Sequence, residues 1–233
     1  MLKRNASFLI GSLLLMCVIG CVMLACDKAA VHLWLNGYHT PFLDSFFRYY
    51  TVIGEWIPYI FVFLLLFYKA GWAAFMFGSI SISGLLSQPL KYAFDTDRPY
   101  RYFADHLPDV QLPFVDGVTL SKYYSFPSGH TTTFFALFLC LSIVATDCLS
   151  KREQTKGLSR SRTDLSVVAF LFFMLAVVGA YSRVYLSQHF LEDILGGMIL
   201  GIGVTLLLYL PVPQLQGTRF WDWSLQKLFH TKQ

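Results

Sequence analysis

Long stretches without a charged side chain dominate this sequence. Asp, Glu, Lys and Arg are absent from 5–26, 56–68, 70–90, 123–146, 165–182 and 194–218. A bilayer core needs roughly 20 mostly apolar residues per helix, so five of these stretches are long enough by themselves. The stretch 56–68 is shorter, but Thr51 to Tyr68 forms an apolar segment interrupted only by Glu55. The pattern predicts an all-α fold with six transmembrane helices.

The composition supports a membrane protein. Hydrophobic residues make up 55% and charged residues 14% of the 233 residues, whereas a soluble domain carries about 25% charged residues. This balance excludes a water-soluble body, and also disordered, collagen-like and coiled-coil chains. We therefore expect residues 1–233 to form a single domain embedded in the phospholipid bilayer. The net charge of +4 is too small to indicate a nucleic-acid partner, and nothing predicts an obligate protein partner.

The distribution of basic residues predicts the orientation. Lys and Arg residues precede the first apolar stretch, follow the sixth and are dense in the connection 151–164, and Lys69 separates the second stretch from the third. Cytoplasmic segments carry the excess of basic residues, and six crossings place all of these segments on one side. We predict that both termini and the basic loop 151–164 are cytoplasmic. Five crossings would move that loop to the outside, so the charge pattern favours six.

Two segments allow alternative interpretations. The first apolar stretch follows Lys3 and Arg4, as in a signal peptide, but it continues to Cys26 without a polar mature start, which favours an uncleaved helix. The segment 40–50 begins with Thr40 and Pro41 and carries a stripe of aromatic residues. That stripe predicts a helix lying on the outer leaflet, although packing against the helix bundle would explain it equally well.

Three short segments contain a clustered set of charged and polar residues. These segments are Lys91 to Pro99, Pro127 to His130, and Ser182 to Asp193. The topology derived without them places the first after helix three, the second at the start of helix four, and the third between helices five and six. All three are therefore expected at the outer membrane boundary, where they could form one site.

The residue types in these segments indicate a phosphate site. Lys91, Arg98 and Arg183 offer three cations, of which the two guanidinium groups suit phosphate oxygens. Ser128 and Gly129 lie where helix four should begin, and a helix N-terminus attracts anions.

The histidines of these segments can supply acid–base and nucleophilic chemistry. His130 and His189 each titrate near neutrality. Asp193 follows His189 by four residues, so on a helix it would hold one imidazole nitrogen and make the other a better nucleophile. A metal site is disfavoured because the neighbouring cations would repel a divalent ion, so we expect neither metal nor cofactor. The remaining histidines, and the pair Gly197 and Gly201, are interpreted as packing or surface residues.

These residues resemble the signature of the type-2 phosphatidate phosphatase family of membrane lipid phosphatases. The family pattern is K-x6-R-P, P-S-G-H and S-R-x5-H-x3-D, and the chain matches all three parts in order and spacing. The resemblance implies that His189 is the nucleophile, that Asp193 is its partner and that His130 is the general acid. It further implies that the phosphate-binding residues are Lys91, Arg98, Ser128, Gly129 and Arg183, and that no metal is needed.

We therefore expect a membrane enzyme that hydrolyses a phosphate monoester or diphosphate on a lipid head group through a phosphohistidine. In a bacterium the candidates are lipid A, undecaprenyl diphosphate, phosphatidylglycerophosphate and phosphatidate. The protein would lie in the inner (plasma) membrane with its site facing the periplasm. The connection 91–126 would form an active-site loop, and its length and polarity favour a large head group such as lipid A. A membrane transporter and a non-catalytic phospholipid-binding protein are the alternatives.

Overall fold

Helices joined by loops and turns make up the computed structural model, which describes residues 1–156 and 162–227. In chain order the helices are α1 (Ala6–Ala25), α2 (Lys28–Asn36), α3 (Pro41–Tyr50), α4 (Ile57–Tyr68), α5 (Ala70–Phe94), α6 (Pro99–His106), α7 (Gly129–Lys156), α8 (Arg162–Tyr185), α9 (Leu191–Tyr209) and α10 (Val212–Leu215). A 3₁₀ turn, Thr51–Gly54, connects α3 to the segment before α4.

The membrane-spanning elements agree with the predicted fold class. Within the described residues, five helices are long and apolar enough to cross a bilayer, namely α1, α5, α7, α8 and α9. A sixth crossing exists if α3 with its 3₁₀ turn and α4 are taken as one span, bent by 52° at the break between them. The all-α, polytopic membrane fold is therefore confirmed.

The second span differs from the prediction of a continuous segment from Thr51 to Tyr68. The α-helix begins only at Ile57, and Pro58 occupies its first turn. Proline is accepted in the first turn because its missing N–H would have no helical partner there, whereas deeper in a helix it breaks the hydrogen-bond ladder. The span itself is present, and only its bend and the later start of its helix were not predicted, because hydropathy alone does not register where a helix must restart.

Helix α7 is the central helix of the bundle, and it packs closely against α9. Four of its large side chains are completely buried: Phe134, Phe135, Leu137 and Leu139. A Cβ atom built on Gly201 of α9 would lie 2.4 Å from the Thr132 carbonyl oxygen, and one on Gly197 would lie 2.7 Å from the Ser128 carbonyl oxygen. These glycines allow the two helix backbones to approach, which agrees with the packing interpretation of the pair.

Helix α3 packs on α8 with one face and exposes the other. The ring of Phe47 is buried, with its centroid 5.3 Å from that of Tyr181 and 4.5 Å from that of Tyr185. Phe42 remains 76% exposed. One side of this helix therefore packs against the helix bundle, as the second interpretation of the segment 40–50 expected, while its position on the outer leaflet stays a prediction.

The segments predicted to be cytoplasmic lie together at one end of the bundle. Arg4 Nη1 is 3.5 Å from Asp147 Oδ1 near the end of α7, and Lys69 pairs with Asp222. The predicted basic loop 151–164 is shorter than expected because α7 continues to Lys156, and its residues 157–161 lie outside the described part. The side of the membrane on which this end lies stays a prediction.

Two tryptophans near Lys69, Trp72 and Trp221, belong to the core of the bundle. Trp72 and Trp221 are buried, and their ring centroids are 5.1 Å apart in an edge-to-face arrangement. Gly71 makes room for this contact, since an added Cβ would overlap the Trp221 ring. The segment after α10 thus folds back onto the start of α5, where the Ala70 N–H donates to the Trp223 carbonyl at 2.7 Å.

Candidate active site

The three motif segments meet at the end of the bundle opposite the Arg4–Asp147 pair. Arg98 Nη1 donates to Gln188 Oε1 at 3.2 Å, which joins the first motif to the third. The Ser128 N–H donates to the Asp193 carbonyl at 3.0 Å, which joins the second motif to the third. The convergence expected from topology is therefore present.

His189 lies in a buried hydrogen-bonded cluster with Asp193 and Ser125. The Nδ1 atom of His189 is 3.3 Å from Asp193 Oδ2 and 3.3 Å from Ser125 Oγ. The Ser125 hydroxyl donates to the same Asp193 oxygen at 2.5 Å, and the Phe190 N–H donates to it at 2.9 Å. With Nδ1 directed at the carboxylate, Nε2 is the imidazole nitrogen left for chemistry.

The His189–Asp193 pair is formed in a different way from that predicted. A shared helical face was expected, but α9 begins at Leu191, so His189 lies in the preceding loop. Asp193 lies in the first turn of α9 and reaches back to the Phe190 N–H, as an N-terminal capping carboxylate does. The same capping geometry brings Oδ2 to the imidazole.

Lys91, Arg98 and Arg183 surround the buried histidine. Lys91 Nζ donates to the Tyr124 carbonyl at 2.8 Å, and Arg98 Nε donates to the Tyr123 carbonyl at 3.0 Å. Arg183 is 6% exposed, and its Nε is a buried donor without a partner among the described residues. Backbone carbonyls thus hold two cations in place, while the third keeps a donor available for an anion.

The electrostatics favour a neutral imidazole at His189. Burial first, and then the positive charges of Arg98, Arg183 and Lys91, lower the pKa of His189 well below its usual 6.5. A neutral imidazole has a free lone pair, which is the form that attacks phosphorus. The three cations that could bind an anion therefore also keep this imidazole neutral.

His130 stands in the first turn of α7, within the same electrostatic environment. The charges of Arg183, Arg98 and Lys91 all act on its imidazole, which places both histidines beside one set of cations. Its Nε2 atom is 3.3 Å from Glu55 Oε1, in the segment between the 3₁₀ turn and α4. The site thus contains a second imidazole with its own carboxylate.

Ser128 and Gly129 mark the helix start as predicted, but Ser128 is already engaged. Helix α7 begins at Gly129, and the Ser128 hydroxyl accepts from Thr131 Oγ1 at 3.0 Å. The Ser128 N–H is used by Asp193, and its side chain is fully buried. No heavy atom lies within 4 Å of a Cβ built on Gly129, so space adjoins the helix N-terminus there. Phosphate binding by Ser128 and Gly129 stays a prediction.

Four residues of this region were not identified from the sequence: Thr51, Glu55, Ser125 and Gln188. Ser125 lies two residues before Pro127, Gln188 immediately precedes His189, and Glu55 is the single charge in an otherwise apolar segment, so each could have been singled out by its place in the sequence. Thr51 offered no such signal. Its hydroxyl accepts from Arg183 Nη1 at 2.5 Å across 132 positions of sequence.

The connection 91–126 folds onto the site. The Arg98 N–H donates to the Lys122 carbonyl at 3.0 Å, and the Ser125 N–H donates to the Thr96 carbonyl at 3.0 Å. Arg101 forms local ion pairs with Asp97 and Asp105, each at 3.1 Å. Contact between this loop and a lipid head group stays a prediction. Among the residues described, no cluster of three or more His, Cys, Asp or Glu residues could hold a metal ion.

Comparison with known proteins identifies the family. The model of the PAP2 superfamily matches residues 72–216, which is more than half of the chain. The chain belongs to this superfamily. The resemblance drawn from the three motifs is thereby confirmed, since Lys91, the P-S-G-H segment and the His189–Asp193 pair all lie within the matched region.

Several curated relatives are named for lipid phosphates. The chain is 32% identical over 185 residues to a lipid A 4'-phosphatase from Porphyromonas gingivalis, covering 76% of this chain and 69% of the relative. It is 30% identical over 135 residues to a lipid A 1-phosphatase from Rhizobium johnstonii, and 29% identical over 142 residues to lipid phosphate phosphatase 2 from Arabidopsis thaliana. These matches cover 58% and 57% of this chain but only 45% and 47% of the two relatives.

Two solved structures share the fold. LpxE from Aquifex aeolicus superimposes with a TM-score of 0.58 and 21% identity, covering 78% of this chain and 93% of that one. A transmembrane PAP2-type phosphatidylglycerolphosphate phosphatase from Bacillus subtilis superimposes with a TM-score of 0.61 and 23% identity, covering 94% of this chain and all of the other. The helical membrane architecture is therefore that of known PAP2 proteins.

Proposed function

We propose that this chain is an integral membrane lipid phosphatase that removes a phosphate monoester or diphosphate group from a lipid head group. The observation that carries the proposal is the meeting of one buried, carboxylate-held imidazole, His189, with three cations and a second imidazole, His130. A transporter needs charges near mid-membrane or on broken helices that line a path. A passive lipid-binding site needs no nucleophile.

The proposed reaction is a two-step displacement. His189 Nε2 attacks phosphorus in line, a P–N bond forms, and the bond to the leaving lipid oxygen breaks while His130 gives that oxygen a proton. Water then attacks the phosphohistidine, His130 takes the proton from that water, and phosphate leaves. Lys91, Arg98 and Arg183 neutralise the equatorial oxygens, and phosphoryl transfer depends mainly on such positioning and electrostatics.

Asp193 controls which nitrogen attacks. Its Oδ2 atom accepts from Nδ1–H of His189, which fixes the tautomer with the lone pair on Nε2. As the P–N bond forms, the imidazole becomes positively charged, and the buried carboxylate stabilises that charge. This differential stabilisation is expected to lower the barrier to the first step.

We propose a lipid A phosphate as the first substrate to test. The three named relatives act, by their names, on lipid phosphates, and two of those names specify lipid A. The other substrates are undecaprenyl diphosphate, phosphatidylglycerophosphate and phosphatidate. The 91–126 loop folded over the site is the element expected to distinguish them, because it presents both charges and aromatic rings beside Arg98.

Phosphate release in detergent tests the proposal. Purified protein is incubated with each of the four lipid phosphates, and inorganic phosphate is measured with malachite green. His189→Ala should lower turnover by at least about 1,000-fold, because it removes the nucleophile. The matched control is His106→Ala, which removes an exposed histidine. Substantial turnover by folded His189→Ala protein would overturn the assignment.

Trapping the intermediate tests the mechanism separately. A substrate labelled with ³²P is mixed with the enzyme and quenched in alkali, in which phosphohistidine survives. We expect label on the wild-type protein and none on His189→Ala. Turnover that is unchanged by a metal chelator would support metal independence, whereas its loss and recovery with added metal would contradict it.

We also propose an orientation, with both termini cytoplasmic and the site on the periplasmic side of a bacterial inner membrane. The bundle end that carries Arg4 and Lys69 is rich in basic residues, in accordance with the positive-inside rule. A C-terminal fluorescent-protein fusion should fluoresce, and a C-terminal alkaline phosphatase fusion should be inactive. The reverse pattern would place the site in the cytoplasm.

A further inference from the structure

The segment Thr51–Glu55, at the bend between α3 and α4, contacts two motif residues although it belongs to none of the three motifs. The Thr51 hydroxyl accepts from Arg183 Nη1 at 2.5 Å. Glu55 Oε1 lies 3.3 Å from His130 Nε2. The segment also precedes residues 72–216, the region matched by the superfamily model.

Glu55 is unusual because it adds a negative charge beside a site built for an anion. Its side chain is 48% exposed, yet it reaches His130 and also acts electrostatically on Arg183. A carboxylate this close to His130 and Arg183 opposes phosphate binding, because it repels the negative charge of the phosphate. A contribution of Glu55 to the site is therefore expected in the rate of turnover and not in the affinity for the phosphate.

Gly54 fixes the position of the segment. A Cβ atom built on Gly54 would lie 2.9 Å from Phe134 Cε2 and 3.1 Å from His130 Cδ2. The backbone of the turn thus lies directly against the imidazole and its neighbour on α7. This close packing explains how Glu55, which precedes α4, can contact the His130 ring on α7.

We propose that Glu55 is a positioning residue for His130, and that Thr51 is a positioning residue for Arg183. The bent second span is then a fourth element of the active site. This inference rests on the proposed phosphatase function. Glu55 accepts from Nε2–H of the His130 imidazolium, and Nδ1 delivers its proton to the leaving oxygen as the P–O bond breaks. His130 ends that step neutral, still donating Nε2–H to Glu55.

Replacing the carboxylate by an amide separates turnover from binding. Glu55→Gln keeps the size of the side chain, and we expect kcat to fall by about 10- to 100-fold, part of what a general acid contributes. KM and the vanadate inhibition constant should be unchanged or lower, because Glu55→Gln removes a charge that repels the anion. Glu192→Gln is the matched control, since it removes a carboxylate at the same end that pairs with Lys28 at 3.6 Å. An unchanged kcat for Glu55→Gln would overturn the proposal.

The leaving group gives a readout that structural damage would not imitate. A lipid analogue with an aryl phosphate has a better leaving oxygen and depends less on a general acid. The loss caused by Glu55→Gln should therefore shrink to less than about threefold on this analogue. An equal loss on both substrates, or a raised vanadate inhibition constant, would assign Glu55 a merely structural role and refute the inference.

Thr51 is tested through anion affinity. Thr51→Val removes the oxygen that accepts from Arg183, so vanadate should bind about 10-fold more weakly. Thr51→Ser keeps the hydroxyl and should restore wild-type affinity. Equal vanadate affinity in Thr51→Val and wild type would contradict this part of the proposal.

The proposed function and this inference can fail separately. Absence of phosphate release by wild-type protein from every substrate would refute the function. Nitrogen NMR of ¹⁵N-histidine protein still tests the contact, because a Glu55 acceptor selects the Nε2–H form of neutral His130. A signal of that form in wild type that is lost in Glu55→Leu supports the contact, and its absence from wild type overturns it.

Discussion

Ser125→Ala is the substitution for which the structure gives the most specific expectation. The Ser125 side chain is fully buried, and its hydroxyl donates to Asp193 Oδ2 at 2.5 Å while standing 3.3 Å from His189 Nδ1. The other carboxylate oxygen, Oδ1, is buried without a partner among the described residues. After substitution only the Phe190 N–H and His189 would remain as hydrogen-bond partners of the buried carboxylate.

The size of the effect follows from the type of hydrogen bond that is lost. A hydrogen bond to a charged group contributes about 1.5–3 kcal/mol. In the proposed mechanism the Asp193 charge is most important when His189 becomes positive during attack, so most of this energy should be lost from the transition state. Since about 1.4 kcal/mol corresponds to tenfold in rate, kcat should fall by about 10- to 100-fold.

Steady-state kinetics with a double-mutant cycle test this reasoning. Ser125→Ala is compared with Ser83→Ala, which removes an equally buried hydroxyl whose partner is the Ser79 carbonyl of its own helix. If Ser125 acts through Asp193, the double variant Ser125→Ala/Asp193→Asn should be no slower than Asp193→Asn alone. Additive losses, or a kcat for Ser125→Ala within about twofold of wild type, would refute the reasoning.

Three further predictions concern packing and protonation. Gly201→Ala should lower the free energy of unfolding by about 1–3 kcal/mol, because the new Cβ meets the Thr132 carbonyl. Gly203→Ala adds a Cβ in open space on the same helix and should not lower it in the same denaturation assay, because alanine is a better helix former than glycine. Burial lowers the pKa of His32 to about 4 in the folded state. As the pH falls, the imidazole is therefore protonated first in the unfolded state, and the free energy of unfolding should fall by roughly 3 kcal/mol between pH 6.5 and pH 4. His32→Phe should abolish that fall, and an unaltered pH profile would contradict it. Nitrogen NMR should find His189 neutral at pH 6.5, whereas a protonation midpoint at or above 6.5 would contradict the lowered pKa.

The sequence was sufficient to predict the spans and the convergence of the motifs. A helix that crosses a bilayer must be apolar along its length and satisfy its own backbone, so hydropathy records it directly. Because each motif lies at the end of a span, knowing the topology is enough to place Lys91, Ser128 and His189 at one boundary. The prediction that α7 begins at Gly129 is confirmed for the same reason.

The sequence could not predict contacts between segments that share no periodic pattern. The Thr51–Arg183 and Glu55–His130 contacts depend on a 52° bend, and nothing in the hydropathy of the second span encodes an angle. Trp72 is buried, but a tryptophan contributes equally to the hydropathy of a span whether it faces lipid or another helix, so its burial could not be predicted. Whether the Ser128 N–H is free depends on the neighbouring Asp193 carbonyl, which only the folded chain supplies.

The distance between the two halves of the site is fixed by the α7–α9 contact. The Ser128 carbonyl packs against Gly197, while the Ser128 N–H donates to the Asp193 carbonyl one turn earlier on α9. The start of α7, which carries His130, and the start of α9, which holds His189 through Asp193, are therefore parts of one rigid helix pair. Phosphoryl transfer requires an attacking group and a proton donor on opposite sides of phosphorus, at a separation that must not vary. A glycine contact and a single backbone hydrogen bond supply that constancy before any substrate binds, so the proposed mechanism needs no binding energy to assemble the site.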